Sequence, residues 1–379
     1  MSSRPRRAVR RALTAIVPVT ALLALAGCGS TTTPAADSAK AAPDSPGLIA
    51  ARKAVAKYSA HPAEIPVTQP VGKPIPAGKT IDFILCGVQS CQDLANFFTA
   101  AANQLGWHVR TISTQGTPES VQSAYEQALR DKPDAVVSSG FPRAVYAKQL
   151  DQLKAAGIPV LQSNADDVVG DGISLLKNGP KDVAVQGEML ASWVVSDSNA
   201  QADTVYFDLP AYTILKPVKD TFAAKYKEWC AGCGLDTVDV PITAIGKDMP
   251  DRVVSYLRSH PKVDHVVFSL GLLNVGVPAA LKTAGITGKH LAVNVGDGQN
   301  YQYIQSGLSD AAMALNSHEA SWLQVDALAR HFTGQSMDVD QKAVLPNMLI
   351  TEDNLPKTIG DFPIVEDYQA QFKALWGVS

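Results

Sequence analysis

No surplus of basic residues, no metal-ligand spacing and no nucleophile motif mark this chain. Lysine and arginine number 33 against 36 acidic residues, a formal charge of −3. A mildly acidic chain lacks the basic footprint that nucleic-acid binding requires. The pattern G-x-S-x-G is absent, and so is the phosphate loop; "GITGKH" has neither its spacing nor its hydroxyl. His318-Glu319 opens like H-E-x-x-H, but Trp322 stands where the second histidine belongs, so no zinc site is expected there. The seven histidines show no other ligand spacing. "GDGQN" lacks the dinucleotide-binding spacing. "NADDVVGDG" does not match a calcium loop, and its Asp166, Asp167 and Asp171 read as solvated. With these absences the chain reads as a non-enzyme, with no catalytic residues, metal or cofactor.

What is present starts at the amino end. "MSSRPRRAVRRALTAIVPVTALLALAGC" has five arginines, an apolar run and a small-residue site before a cysteine. That is the layout of a secretory signal peptide, too short and too soon interrupted to be a stable span. Leu25-Ala26-Gly27-Cys28 resembles the lipobox of bacterial lipoproteins, whose cysteine is lipidated and becomes the mature N-terminus. Residues 1–27 are therefore expected to be removed, and Cys28 to anchor an exported protein at the outer face of the cytoplasmic membrane. No other long apolar run appears. Residues 28–46 are small, polar and proline-bearing, which predicts a disordered tether. Residues 47–78 offer a short helix, "LIAARKAVAKYSA", and an extended proline-rich approach.

From Lys79 onward, strand and helix patterns alternate. "TIDFIL", "WHVRTIS", "DAVVSSG" and "IPVLQSN" read as strands separated by amphipathic helices. "TVYFDL", "DTVDVPI", "HVVFSLG", "HLAVNVG" and "SDAAMALN" repeat the pattern after Asn178-Gly179-Pro180. Alternation of this kind predicts parallel sheets wound by right-handed crossovers, and the strand number favours two lobes over one. Ligands of such sheets bind beyond the carboxyl ends of the strands. The loops there carry Gln, Asn, Ser, Asp and Tyr, hydrogen-bonding groups for a polar small molecule.

Four segments in order, "FFTAAANQLGWHVRTISTQGTPESVQSAYEQAL", "PDAVVSSGFPRAVYAKQLDQLKAAGIPVLQSN", "HPKVDHVVFSLGLLNVGVPAALKTAG" and "VNVGDGQNYQYIQSG", carry a resemblance. Together they resemble the type I periplasmic binding proteins, nearest the sugar-binding branch that includes ribose-binding protein. The resemblance spans roughly residues 79–350. It implies two Rossmann-like α/β lobes joined by a three-crossing hinge: 79–177 with 316–345, and 178–315 with 346–379. It also implies a small-molecule ligand, an ABC permease as partner and a monomeric receptor. Carried over by position, Gln89, Ser90, Cys91 and Gln92 would face the ligand, with Phe141, Asn164, Tyr212, Asp297, Gln299 and Asn316. Asp297 would hold sugar hydroxyls; its other reading is a helix N-cap before Gly298.

Departures temper the choice of sugar. The loop after the first strand has no aromatic residue to stack on a ring, and Leu270-Gly271 replaces a commonly polar pair. A less polar, amino-acid-like or nucleoside-like solute fits these changes, as does a sensor feeding a membrane kinase. Apart from Cys28, the cysteines form two close pairs, Cys86/Cys91 and Cys230/Cys233, expected as disulfides outside the cytoplasm. A thiol-disulfide oxidoreductase using Cys230/Cys233 is the reading of another class. Such enzymes place the dithiol at a helix start, where the thiolate is favoured, whereas "WCAGCG" follows a long helix.

Overall fold

The computed structural model describes residues 45–357, 359–360 and 362–379. The expected signal peptide, Cys28 and nearly all of the tether lie outside them. Among the described residues no helix is long and apolar enough to cross a membrane.

Helix α1 (Pro46–Tyr58) precedes two α/β lobes. In the first lobe the chain runs β1 (Thr80–Ile84), α2 (Gln89–Gln104), β2 (His108–Ile112), α3 (Pro118–Asp131), β3 (Ala135–Ser139), α4 (Ala147–Ala155), β4 (Val160–Ser163) and β5 (Ile173–Lys177). The second lobe follows with α5 (Pro180–Asp197), β6 (Asp203–Asp208), α6 (Lys216–Trp229), β7 (Gly234–Asp239), α7 (Met249–Ser259), β8 (His265–Phe268), α8 (Val277–Thr283), β9 (His290–Val293), α9 (Gly298–Gln305) and β10 (Ala311–Ala314). The chain then returns through α10 (Ser317–Phe332) and α11 (Asp338–Lys342) before β11 (Met348–Ile350) and α12 (Tyr368–Trp376).

The helices start where the sequence places stops and caps. Thr117 accepts a hydrogen bond from Ser120 N, and Pro118 opens α3 where its missing N–H costs nothing. The central strands are near-continuous apolar runs because both faces of each sheet are covered, while the edge strands β2 and β7 are polar and largely exposed. The first sheet has order β2-β1-β3-β4-β5, all parallel. Helices α2, α10 and α12 pack on one face and α3 and α4 on the other. The second sheet has order β11-β10-β9-β8-β6-β7, with only β11 antiparallel. Its faces are covered by α7, α8 and α9, and by α1, α5 and α6.

Strand β5 breaks the alternation. It follows β4 with no helix between, through the acidic loop expected to be solvated. Arg143 holds that loop instead: its backbone N lies 2.7 Å and its Nε 2.9 Å from the Asp167 carboxylate. The guanidinium also reaches Val168 O and lies 3.6 Å from Asp171. Asp166 and Asp171 remain exposed, so only Asp167 departs from the solvated reading.

Three short crossings join the sheets: Asn178-Gly179 after β5, Leu315-Asn316 after β10, and Asn347 before β11. Two more involve the termini. After α1, packed on the second lobe, the chain passes over, so that Ile65, Val67 and Val71 join the first lobe's core. After β11 it crosses back between Ile364 and Val365, and α12 seats Phe372 and Trp376 against Trp322 of the first lobe. The tail beyond residue 365 thus packs on the first lobe, not the second to which 346–379 was assigned.

Candidate functional site

In an open parallel sheet, the crevice lies where the strand order reverses, outside the carboxyl ends. In the first sheet that point falls between β1 and β3; in the second, between β6 and β8. Because β5 and β10 leave their sheets directly into the hinge, both carboxyl edges meet at the crossings. The candidate site is the cleft between these edges.

Polar residues end the apolar strands there. On the first lobe, Ser139, Ser163 and Lys177 share one register row. Asn164, with φ 53°, turns the chain after β4 and donates to Ser139 Oγ at 3.0 Å. Lys177 Nζ is committed, donating to the carbonyls of Asp340, Gln341 and Ala343 at 3.1, 3.3 and 2.6 Å. Burial pulls its ammonium below the usual lysine range, against the neighbouring Asp182 and Asp340 charges.

On the second lobe, Asp208, Ser269 and Asn294 form the matching row, one step beyond the paired Phe207, Phe268 and Val293. Ser269 Oγ accepts from Leu209 N at 3.0 Å. Asp208 takes Lys219 Nζ on one oxygen, and this bond raises the lysine's pKa. Its other oxygen, and both polar atoms of the fully buried Asn294 amide, have no hydrogen-bond partner. Unsatisfied buried polar groups are costly, so such atoms mark a place where another molecule can bond. The sequence reading placed Asp208 and Ser269 at the start of candidate ligand loops but named none of the three as a site residue. Their signal was a polar residue closing each apolar run, in "TVYFD", "HVVFS" and "HLAVN".

The hinge is itself polar. Asn178 Nδ2 donates to Asn316 Oδ1 at 3.0 Å, and Asn316 Nδ2 to Asn347 Oδ1 at 3.3 Å. One asparagine from each central crossing is tied to the next. At the terminal crossings, Asn354 Nδ2 donates to Ser59 O at 3.0 Å and Val365 N to Glu319 Oε1 at 2.8 Å.

A family comparison settles the architecture: the model of the periplasmic binding protein domain matches residues 88–336. The chain belongs to that family. This is the type I form with two α/β lobes, the fold expected. No curated protein sequence matches. Among solved structures, an ABC sugar transporter subunit from Rhodobacter sphaeroides 2.4.1 aligns with 19% identity and TM-score 0.63, over 73% of this chain and 99% of that one. A periplasmic ribose ABC transporter protein from Conexibacter woesei aligns with 14% identity and TM-score 0.65, over 75% and 95%. A solute-binding protein from Agrobacterium vitis with bound allitol gives 18% and 0.63, over 73% and 97%.

In this periplasmic binding protein, the residues singled out from sequence fall into three groups. Gln89, Ser90 and Gln92 lie in the first turn of α2 at the β1 switch point, with no side-chain cap on the helix. The side-chain amides of Gln89 and Gln92 donate along the helix to Asp93 and Asn96. Tyr212 and Gln299 are exposed on the second lobe. Asp297 is the N-cap of α9, its Oδ1 accepting from Gln299 N and Asn300 N at 3.0 and 3.1 Å. Phe141 and Asn316 are buried: the ring sits in the first lobe's core, and the amide is spent within the hinge.

Cys91 is buried and bonded to Cys86, with Cα atoms 5.7 Å apart. The bridge straps the loop after β1 to the start of α2. Gly87 within it has φ 88° and backs onto the loop after β2, where an added Cβ would meet backbone at 3.1 Å. The loop is therefore held from two sides at the cleft. Cys230 and Cys233 are bonded at the carboxyl end of α6, at the amino ends of the strands and away from the cleft. A hollow of about 480 Å³ beside β7 and α7, lined by Asp239, Asp248, Arg252 and Tyr256, also lies outside the cleft.

Proposed function

We propose that this protein captures a sugar or polyol between its lobes and delivers it to an ABC permease. The carrying observation is the row Asp208–Ser269–Asn294 at the second switch point, with Asn164 and the first turn of α2 across the cleft. These offer donors and acceptors to a ligand with several hydroxyls. The ribose transporter protein and the allitol-bound solute-binding protein among the structural relatives support the class. Asp297 bonds its own helix through Oδ1 and would offer Oδ2 to a hydroxyl. Tyr212 and Gln299 would contribute as the lobes close.

Thermal-shift screening of pentoses, hexoses and polyols tests this reading, since a ligand that binds only the folded state raises its stability. At about 100 times Kd the gain is about 2.7 kcal/mol. Asn294→Ala is expected to weaken the response at least about tenfold. A full panel without a shift, alongside a response to nucleosides or amino acids, would move the assignment to those solutes.

Export and anchoring at Cys28 belong to the same proposal. Cys28→Ser is expected to shift the protein from the membrane fraction to the medium. Unchanged membrane retention after that substitution would end the lipoprotein reading.

A further inference from the structure

The amino ends of the second sheet's strands, opposite the cleft, bring together side chains that are far apart in sequence. His265 opens β8, His290 opens β9, Asp310 precedes β10, and Asp197 ends α5. Asp197 Oδ2 lies 3.0 Å from His265 Nε2 and 3.0 Å from His290 Nδ1. Asp310 Oδ1 is 3.6 Å from the same His290 nitrogen. The imidazoles stack with centroids 4.8 Å apart. One ligand atom each from Asp197, His265 and His290 falls within 4.8 Å of the others.

We propose that this cluster is a binding site for a divalent transition ion of the zinc class. Zinc bonds to imidazole nitrogen and carboxylate oxygen at about 2.0–2.2 Å, so tetrahedral ligand atoms stand about 3.3 Å apart. The carboxylate–imidazole separations of 3.0 and 3.6 Å lie close to that value, and the ligand atoms of Asp197, His265 and His290 all fall within 4.8 Å of one another. Imidazole nitrogens alongside two carboxylates form a mixed donor set that suits borderline metals over calcium or magnesium.

Three features prepare the site. His265 is 3% exposed, and its other nitrogen, Nδ1, lies 2.7 Å from Asp264 Oδ1. A carboxylate behind a histidine ligand holds the ring in place, so that an ion displacing the proton now shared by Nε2 and Asp197 would meet a pre-oriented nitrogen. Asp264 is itself held, its Oδ1 accepting from Asp203 N at 3.0 Å. His290 Nδ1 is shielded from solvent and makes no hydrogen bond, although it lies at ion-pair distance from two carboxylates. A cation between them would complete it. Asp197 sits at the carboxyl end of the 18-residue α5, where the helix dipole favours positive charge. The ion would clip α5 to three strands, and nothing in the linear spacing of the histidines announces it.

Zinc titration of the full chain by calorimetry is the test. One zinc per chain is expected, reversed by EDTA and accompanied by a rise in Tm. His290 is half exposed, so His290→Ala should fold while binding zinc at least about 10-fold more weakly. Asp197→Asn should act the same way, and His290→Gln serves if the alanine variant does not fold. The Trp193 ring lies 5.7 Å from that of His265. Copper added to the wild type should therefore quench a tryptophan signal that Trp193→Phe removes. No stoichiometric binding at micromolar zinc, or binding within twofold of wild type in His290→Ala and Asp197→Asn, would overturn the site.

Discussion

Removing residues 366–379 is expected to abolish folding of the first lobe. Helix α12 buries Tyr368, Phe372, Leu375 and Trp376 in its core, each worth about 1.5–3 kcal/mol when fully buried. Together they are comparable to the ~5–15 kcal/mol that holds a whole protein folded. The truncation also uncovers Trp322, which stacks on Trp376 at 5.4 Å. Trp376→Ala alone should cost about 3–5 kcal/mol, read from urea denaturation. A truncated protein that stays soluble with the wild-type urea midpoint would place α12 outside the folding unit.

Beneath α12 lies the second large effect. Arg330, 1% exposed, lies 2.8 Å from Asp326 and 3.4 Å from Asp340, both fully buried. Asp326 also accepts from Trp376 Nε1 at 2.7 Å. Arg330→Ala strands two carboxyl groups in the core and should cost about 3–5 kcal/mol. Asp340 behaves differently. Burial first, and then the Asp326 charge, push its carboxyl up to about 9. The folded state therefore holds a proton that the unfolded chain releases near pH 4. Its contribution is fully present below about pH 4 and is lost as pH rises towards about 9. Asp340→Asn removes that loss, so its urea midpoint should exceed wild type at pH 8 and converge with it near pH 4. A wild-type-like decline in the asparagine variant would contradict the protonated assignment.

The alternation of strands and helices was legible because each element is short, apolar on the face it buries, and punctuated by Gly, Pro or a capping residue. Strand β5 was not, because no helix separates it from β4 and its approach is acidic; the Arg143 clamp that orders that loop depends on a residue 24 positions away from Asp167. The destination of the tail was hidden for a similar reason. An amphipathic helix advertises an apolar face but not which core receives it, and α12 crosses the hinge to find Trp322. At the candidate site, position along the fold named the loops, but the direction of each side chain is set by packing that sequence does not display. Phe141 turns into the core, Asn316 is consumed by Asn178 and Asn347, and Asp297 caps its own helix. The buried row at Asp208, Ser269 and Asn294 depends on strand register, which no single strand reveals. The Asp197–His265–His290 cluster likewise exists only once two strands and α5 are assembled.

Gly47, at the start of α1, lies against Trp229 so closely that an added Cβ would stand 2.3 Å from its carbonyl oxygen. The turn closed by Cys230 and Cys233 follows directly, at the end of the second lobe furthest from the cleft. Any hinge motion between the lobes therefore carries α1 with the second lobe. Helix α1 is seated on the α5–α6 layer, and the stapled turn stiffens that seat.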